Sequence, residues 1–170
     1  MHSPEEFRDD HTPFGYLITF RCYGTWLHGR AGSVDRSHNT YDTPKLAADQ
    51  ARWRYNRRAL SQPPVKLGSR QRKLVEEAIT ETCDIRKWCL WVSNVRTNHV
   101  HVVMTAQCSP NRVMSAFKAN ATRKMREDNC WKSDRSPWAY GGGSKRYLWS
   151  EEEVANAIAY VREDQGEPLD

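Results

Sequence analysis

The chain has 170 residues, 38% hydrophobic and 28% charged, a size and balance that predict one globular domain over residues 1–170 and exclude a disordered chain. No run of about 18 apolar residues occurs, which excludes a helical membrane span, and the acidic, polar start from Met1 to Asp10 predicts a cytoplasmic protein. With 26 Lys and Arg against 21 Asp and Glu, the net charge of +5 favours a polyanionic partner, and seven Trp and seven Tyr offer faces on which unpaired bases stack.

The alternating, β-branched and aromatic stretch Gly15–Trp26 predicts the first strand. A loop follows over Leu27–Thr43, then a short helix within Pro44–Leu60, closed by Pro63-Pro64. This region is basic, carrying Arg52, Arg54, Arg57, Arg58, Lys66, Arg70, Arg72 and Lys73, which read first as a solvated face and second as nucleic-acid contacts. Ser69–Arg86 predicts a helix capped by Ser69, with Leu74, Ala78 and Ile85 on its apolar side. Two strands, Trp88–Val95 and His99–Ala106, are joined by Arg96-Thr97-Asn98 as a hairpin. The next helix is Pro110–Asp128, with Val113, Phe117, Ala121 and Met125 at helical spacing and Arg112, Arg123 and Arg126 opposite. After an irregular stretch containing Gly141-Gly142-Gly143, which suits a hinge or a plain loop, a short strand is expected at Arg146–Trp149. Ser150 and three glutamates then start a helix running to about Gln165 and stopped by Gly166. This order predicts an α+β fold: a ferredoxin-like antiparallel sheet with helices packed on one face and a C-terminal helix carrying a tyrosine. The five scattered cysteines, odd in number and without a CxxC pair, fit buried thiols in a reducing compartment.

The chemistry concentrates in Asn98-His99-Val100-His101-Val102-Val103-Met104. On a strand, residues two apart share a face, so His99 and His101 project together while Val100, Val102 and Met104 point the other way. Paired imidazoles suit a divalent transition ion, and they accept Mg²⁺ or Mn²⁺ when oxygen ligands or a phosphate complete the shell. The same pair suits two structural histidines at a sheet surface. On the last helix, Val154, Ala157, Ile158 and Val161 form an apolar arc about 100° wide, and Tyr160 lies roughly 60° beyond it. Asp164 follows Tyr160 by one turn, whereas Gln165 falls on the apolar arc.

These residues resemble the single-tyrosine HUH transposases of insertion sequences and their REP-associated relatives. The resemblance rests on Tyr23-Gly24-Thr25-Trp26-Leu27, Asn98-His99-Val100-His101, Phe117-Lys118-Ala119-Asn120-Ala121-Thr122-Arg123, and Tyr160-Val161 with Gln165-Gly166, and so covers most of the chain. It implies that His99 and His101 hold a divalent metal, Mg²⁺ or Mn²⁺, and that Tyr160, 59 residues after His101, is the nucleophile, with Tyr147 as its rival. The family's third ligand is often a glutamine one turn after the tyrosine. Here that position holds Asp164, which wheel geometry favours, and the glutamine is one later, at Gln165. The implied activity is nicking and strand transfer on single-stranded DNA through a 5′-phosphotyrosine, on DNA carrying a foldback hairpin. Arg112, Lys118 and Arg123 are implied to grip the backbone, and the protein to act as a monomer or homodimer. Two other classes fit the same residues: a nucleic-acid-binding module without cleavage, and a metal-dependent hydrolase in which His99, His101 and Asp164 activate water.

Overall fold

A computed structural model of the chain describes residues 12–25, 48–141 and 143–163. Its elements are β1 (Gly15–Arg21), α1 (Gln50–Arg58), α2 (Ser69–Arg86), β2 (Cys89–Val95), β3 (His99–Thr105), α3 (Pro110–Glu127), β4 (Ser144–Leu148) and α4 (Glu151–Glu163). The strands form one antiparallel sheet in the order β2-β3-β1-β4, so that β3 sits between β2 and β1, as the hydrophobic register of His99–Thr105 requires. This is the α+β arrangement expected from the element order.

Alternation along the strands gives the sheet two different faces. Tyr16, Ile18 and Phe20 of β1 join Val100, Val102 and Met104 of β3 on one face, where α2 and α3 cover them and the main core forms. On that side α3 buries Val113, Phe117, Ala121 and Met125 completely, the four positions expected from their spacing. The opposite face is covered by α4, through a smaller cluster of Val103, Leu148, Val154, Ala157 and Val161. The two long helices thus share one layer, and the terminal helix forms the other.

Several local expectations shift. β1 ends at Arg21 because Gly24, at φ 75°, turns the chain, and the Thr25 amide donates back to the Cys22 carbonyl at 3.3 Å. Residues 26 and 27 lie outside the described residues, as does the expected loop up to Thr43. The cap of α2 is Gly68 rather than Ser69: the Gln71 Oε1 accepts from the Gly68 amide at 2.9 Å. Its apolar side is also rotated from the expected one. The buried positions are Val75, Ala78, Ile79, Thr82 and Cys83, while Ile85 is exposed. Thr82 lies near the centre of that arc, its hydroxyl donating to the Ala78 carbonyl at 2.6 Å and accepting from Asn120 Nδ2 at 2.9 Å, and a polar residue there hides the arc from a reading of hydrophobicity alone. Gly143 is a close-packing position: a Cβ there would lie 2.4 Å from the Thr19 carbonyl oxygen and 2.9 Å from the Met114 sulfur.

Burial pushes the thiols of Cys22 and Cys83 up to about 12, whereas Cys89 is exposed. Because the thiolate is the reactive form, iodoacetamide at pH 8 is expected to alkylate Cys89 in the folded protein and to reach Cys22 and Cys83 only after denaturation, as peptide mass mapping would read.

Candidate functional site

The sheet face under α4 changes character along its length. At the end where β1 begins, Leu17, Val92, Val103 and Leu148 make it apolar. Two residues further along each strand, it becomes polar. Thr19 pairs with His101 and Arg21 with His99 across β1 and β3, while Asn94 pairs with His101 across β2 and β3. Directly opposed residues share a face, so Thr19, Arg21, Asn94, His99 and His101 project together.

The two imidazoles stand 4.7 Å apart between ring centroids, nearly perpendicular at 77°. Each is held through Nδ1: His101 Nδ1 lies 2.7 Å from Thr19 Oγ1, and His99 Nδ1 lies 2.7 Å from Asn98 Oδ1. An amide oxygen only accepts, so His99 Nδ1 is the donor to Asn98, and the neutral ring in that orientation keeps its lone pair on Nε2. His101 is buried, at 5% exposure.

Tyr160 reaches this polar patch from above. The expected apolar arc of α4 does face the sheet: Val154, Ala157 and Val161 are buried and Ile158 packs beside them. Ser150 caps the helix, its hydroxyl accepting from the Glu153 amide at 3.1 Å, and the Glu153 carboxylate accepts from the Trp149 amide at 2.6 Å. Near the other end, Asn94 Nδ2 donates to the Val161 carbonyl at 3.0 Å and ties that turn of α4 to the sheet beside His101. With Val161 pinned inward, its neighbour Tyr160 lies at the edge of the interface, 42% exposed, with its ring centroid 5.9 Å from that of His101.

The other residues singled out in the sequence fall elsewhere. Tyr147 pairs with Tyr16 and packs edge-on against it at 5.3 Å, on the α2 and α3 face of the sheet and away from the histidines. Arg112, Lys118 and Arg123 belong to α3, likewise in the opposite layer. Lys118 is partly buried, its Nζ donating to the Ala139 carbonyl at 3.0 Å; burial first, then Lys145 and Arg21, pull its pKa down. Arg123 pairs with Glu127 at 2.8 Å on the surface. Asp164 and Gln165 lie outside the described residues, among which no group of three His, Cys, Asp or Glu could hold a metal ion. Thr19, Arg21 and Asn94 escaped the sequence reading, and Asn98 was given no role in it. Asn98 was adjacent to the pair, but the others join it only through strand register. Burial pulls the pKa of the Arg21 guanidinium down.

The family model described as "Transposase IS200 like" matches residues 56–163. No curated protein matches the chain by sequence. Among solved structures, a REP-associated tyrosine transposase bound to a REP hairpin aligns with a TM-score of 0.51 at 11% identity, over 94% of this chain and 70% of that one. A candidate transposase from Deinococcus radiodurans R1 aligns with a TM-score of 0.47 at 12% identity, over 98% of this chain and all of that one.

Asn94→Ala removes a donor from the Val161 carbonyl, at a cost of about 1 kcal/mol. A lower urea midpoint is expected, with amide exchange accelerated in residues 157–163 and unchanged in α3. Equal acceleration in both helices would mean that Asn94 supports the fold at large instead of seating α4.

Proposed function

The chain belongs to the IS200-like transposase family, and from that membership and the geometry of its polar half-face we propose that it is a single-domain, metal-dependent nickase and strand-transferase of single-stranded DNA with Tyr160 as nucleophile. The observation that carries the reading is the placement of the Tyr160 ring 5.9 Å from His101 on the face where His99 and His101 project together. A module that only bound nucleic acid would have no need to hold a half-exposed tyrosine at this edge of the α4 interface.

The histidines fit a divalent cation such as Mg²⁺ or Mn²⁺. Metal-bound histidines commonly hold their second ring nitrogen against an oxygen, and both Nδ1 atoms here do so, on Thr19 and Asn98. His99 and His101 would supply two nitrogen ligands through Nε2, with Asp164, four residues after Tyr160 in sequence, as the favoured third ligand and Gln165 as its alternative. When bound, the cation polarises a non-bridging oxygen of the scissile phosphate and orients it.

A phenol with an ordinary pKa of about 10 needs activation to attack a phosphate. In the proposed step the Tyr160 oxygen bonds to phosphorus, its proton passes to a base or to solvent, and the phosphorus bond to the 3′ oxygen breaks. That oxygen leaves as a 3′-hydroxyl after taking up a proton, and the 5′ end remains as a phosphotyrosine. Attack by another 3′-hydroxyl reverses the balance: a phosphodiester forms, the tyrosine ester breaks, and the phenol regains its proton. Nicking and joining therefore need no nucleotide cofactor. Hairpin-bearing DNA is supported as the substrate by the REP hairpin bound to the structurally similar REP-associated tyrosine transposase. Arg112, Lys118 and Arg123 would meet flanking DNA on the far layer.

Two experiments test this. Incubated with labelled hairpin DNA and Mg²⁺ or Mn²⁺, the protein is expected to form a covalent adduct on a denaturing gel, absent in Tyr160→Phe and in His99→Ala. Cleavage that persists in Tyr160→Phe would point to metal-activated water instead. Thr19→Val keeps the side-chain shape but removes the hydroxyl that orients His101, and Mn²⁺ affinity measured by calorimetry should fall about 10- to 100-fold. Unchanged affinity would count against His101 as a ligand.

A further inference from the structure

We propose that α1 is an arginine-bearing docking helix that grips the phosphate backbone of the DNA whose scissile phosphate enters the His99, His101 and Tyr160 site. The inference rests on the nucleic-acid reading above but not on cleavage. It starts from a helix at the surface of the described fold: α1 has no buried residue, and none of the described strands or helices packs extensively against it. A helix of nine residues is marginal in water without tertiary packing. Asp49 caps it by accepting from the Arg52 amide at 3.0 Å, and the Arg57 guanidinium lies 5.0 Å over the Trp53 ring.

Charge identifies the partner. Between Asp49 and Glu76 the sequence carries eight Lys and Arg and no acid, and the one acid at the start of α1 is committed to the cap. Trp53, Asn56 and Leu60 are half-buried and mark the inward side of the helix. At about 100° per residue, Arg54, Tyr55 and Arg58 then share an outward arc about 100° wide, with Arg57 at its margin beside Trp53. Tyr55 is 73% exposed. Three guanidinium groups with an aromatic ring beside them suit backbone phosphates and a stacked base.

Location assigns the same partner. The chain leaving α1 is fastened to the end of the sheet where the histidines lie. The Ser61 amide donates to the Tyr23 hydroxyl at 2.9 Å, the Val65 amide to the Tyr23 carbonyl at 2.9 Å, and the Leu67 amide to the Thr97 carbonyl at 2.6 Å. Tyr23 follows Arg21, the strand partner of His99, by two residues, and Thr97 precedes His99 by two. Val65 and Leu67 are buried in the core on the α2 and α3 side, so a DNA strand that leaves the histidines over that end of the sheet meets α1.

The test measures binding of the full chain to labelled hairpin DNA by fluorescence anisotropy in EDTA, so that cleavage plays no part. Arg54→Gln with Arg58→Gln is expected to weaken binding about tenfold and to reduce the slope of log K against log salt by about 1.5. Arg86→Gln with Lys87→Gln removes equal charge at the far end of α2 and should leave both within error. Because α1 has no buried residue, the thermal midpoint of the α1 variant should match the parent. Equal losses in the two double variants would overturn the inference, reducing it to a general charge effect, and so would an unchanged slope in the α1 variant. Parent protein that does not bind would overturn both this inference and the nucleic-acid reading. Loss of slope in the α1 variant, with no covalent adduct from the parent, would leave this inference standing and the nickase reading fallen.

Discussion

The structure depends on the division of one sheet face into an apolar half and a polar half. Leu17, Val92, Val103 and Leu148 provide the apolar half, and it is the surface on which α4 packs. Fully burying an aliphatic side chain contributes about 1.5–3 kcal/mol, so the inward residues of α4 together outweigh the roughly 1 kcal/mol of the hydrogen bond from Asn94 to Val161. Packing therefore decides that the helix docks, and the directional bond fixes how its last described turn is seated. Tyr160 reaches the histidines as a consequence of both.

The polar half is costly to build under a helix, since buried polar groups need partners. The contacts in the site answer that requirement. Thr19 and Asn98 each hold an imidazole nitrogen, and Asn94 satisfies a helix carbonyl. The same contacts that settle the desolvation of the site also orient it. Rings whose Nδ1 atoms are held cannot flip without breaking a hydrogen bond, which presents two Nε2 atoms in a set direction.

The two layers divide the remaining work. The face with α2 and α3 is a continuous core, supplied by the even-numbered residues of β1 and β3, and it makes the sheet rigid enough to carry a site on its other side. The charged groups of α3 sit in that far layer, and the chain that follows α1 is fastened at the histidine end of the sheet, through Tyr23 and Thr97. The distribution of positive charge around the molecule thus follows the topology and not the order of basic residues along the chain.

The sequence by itself determined the elements and the chemistry they carry. Period-two alternation put His99 and His101 on one face, period-3.6 spacing put Val113, Phe117, Ala121 and Met125 inward, and the α4 arc left Tyr160 outside it, because local periodicity depends on backbone geometry alone. Where a polar residue occupied an inward position, as Thr82 does, that reading misplaced the arc, since its hydroxyl is satisfied by partners that hydrophobicity does not reveal. Only the tertiary structure decided which layer α4 joins, that Tyr147 lies on the wrong side of the sheet, and that Thr19, Arg21 and Asn94 surround the histidines. Those are matters of pairing between segments up to about 130 residues apart: the local hydrophobic pattern sets which residues of a strand face the core, and packing across the sheet decides which strand each one meets.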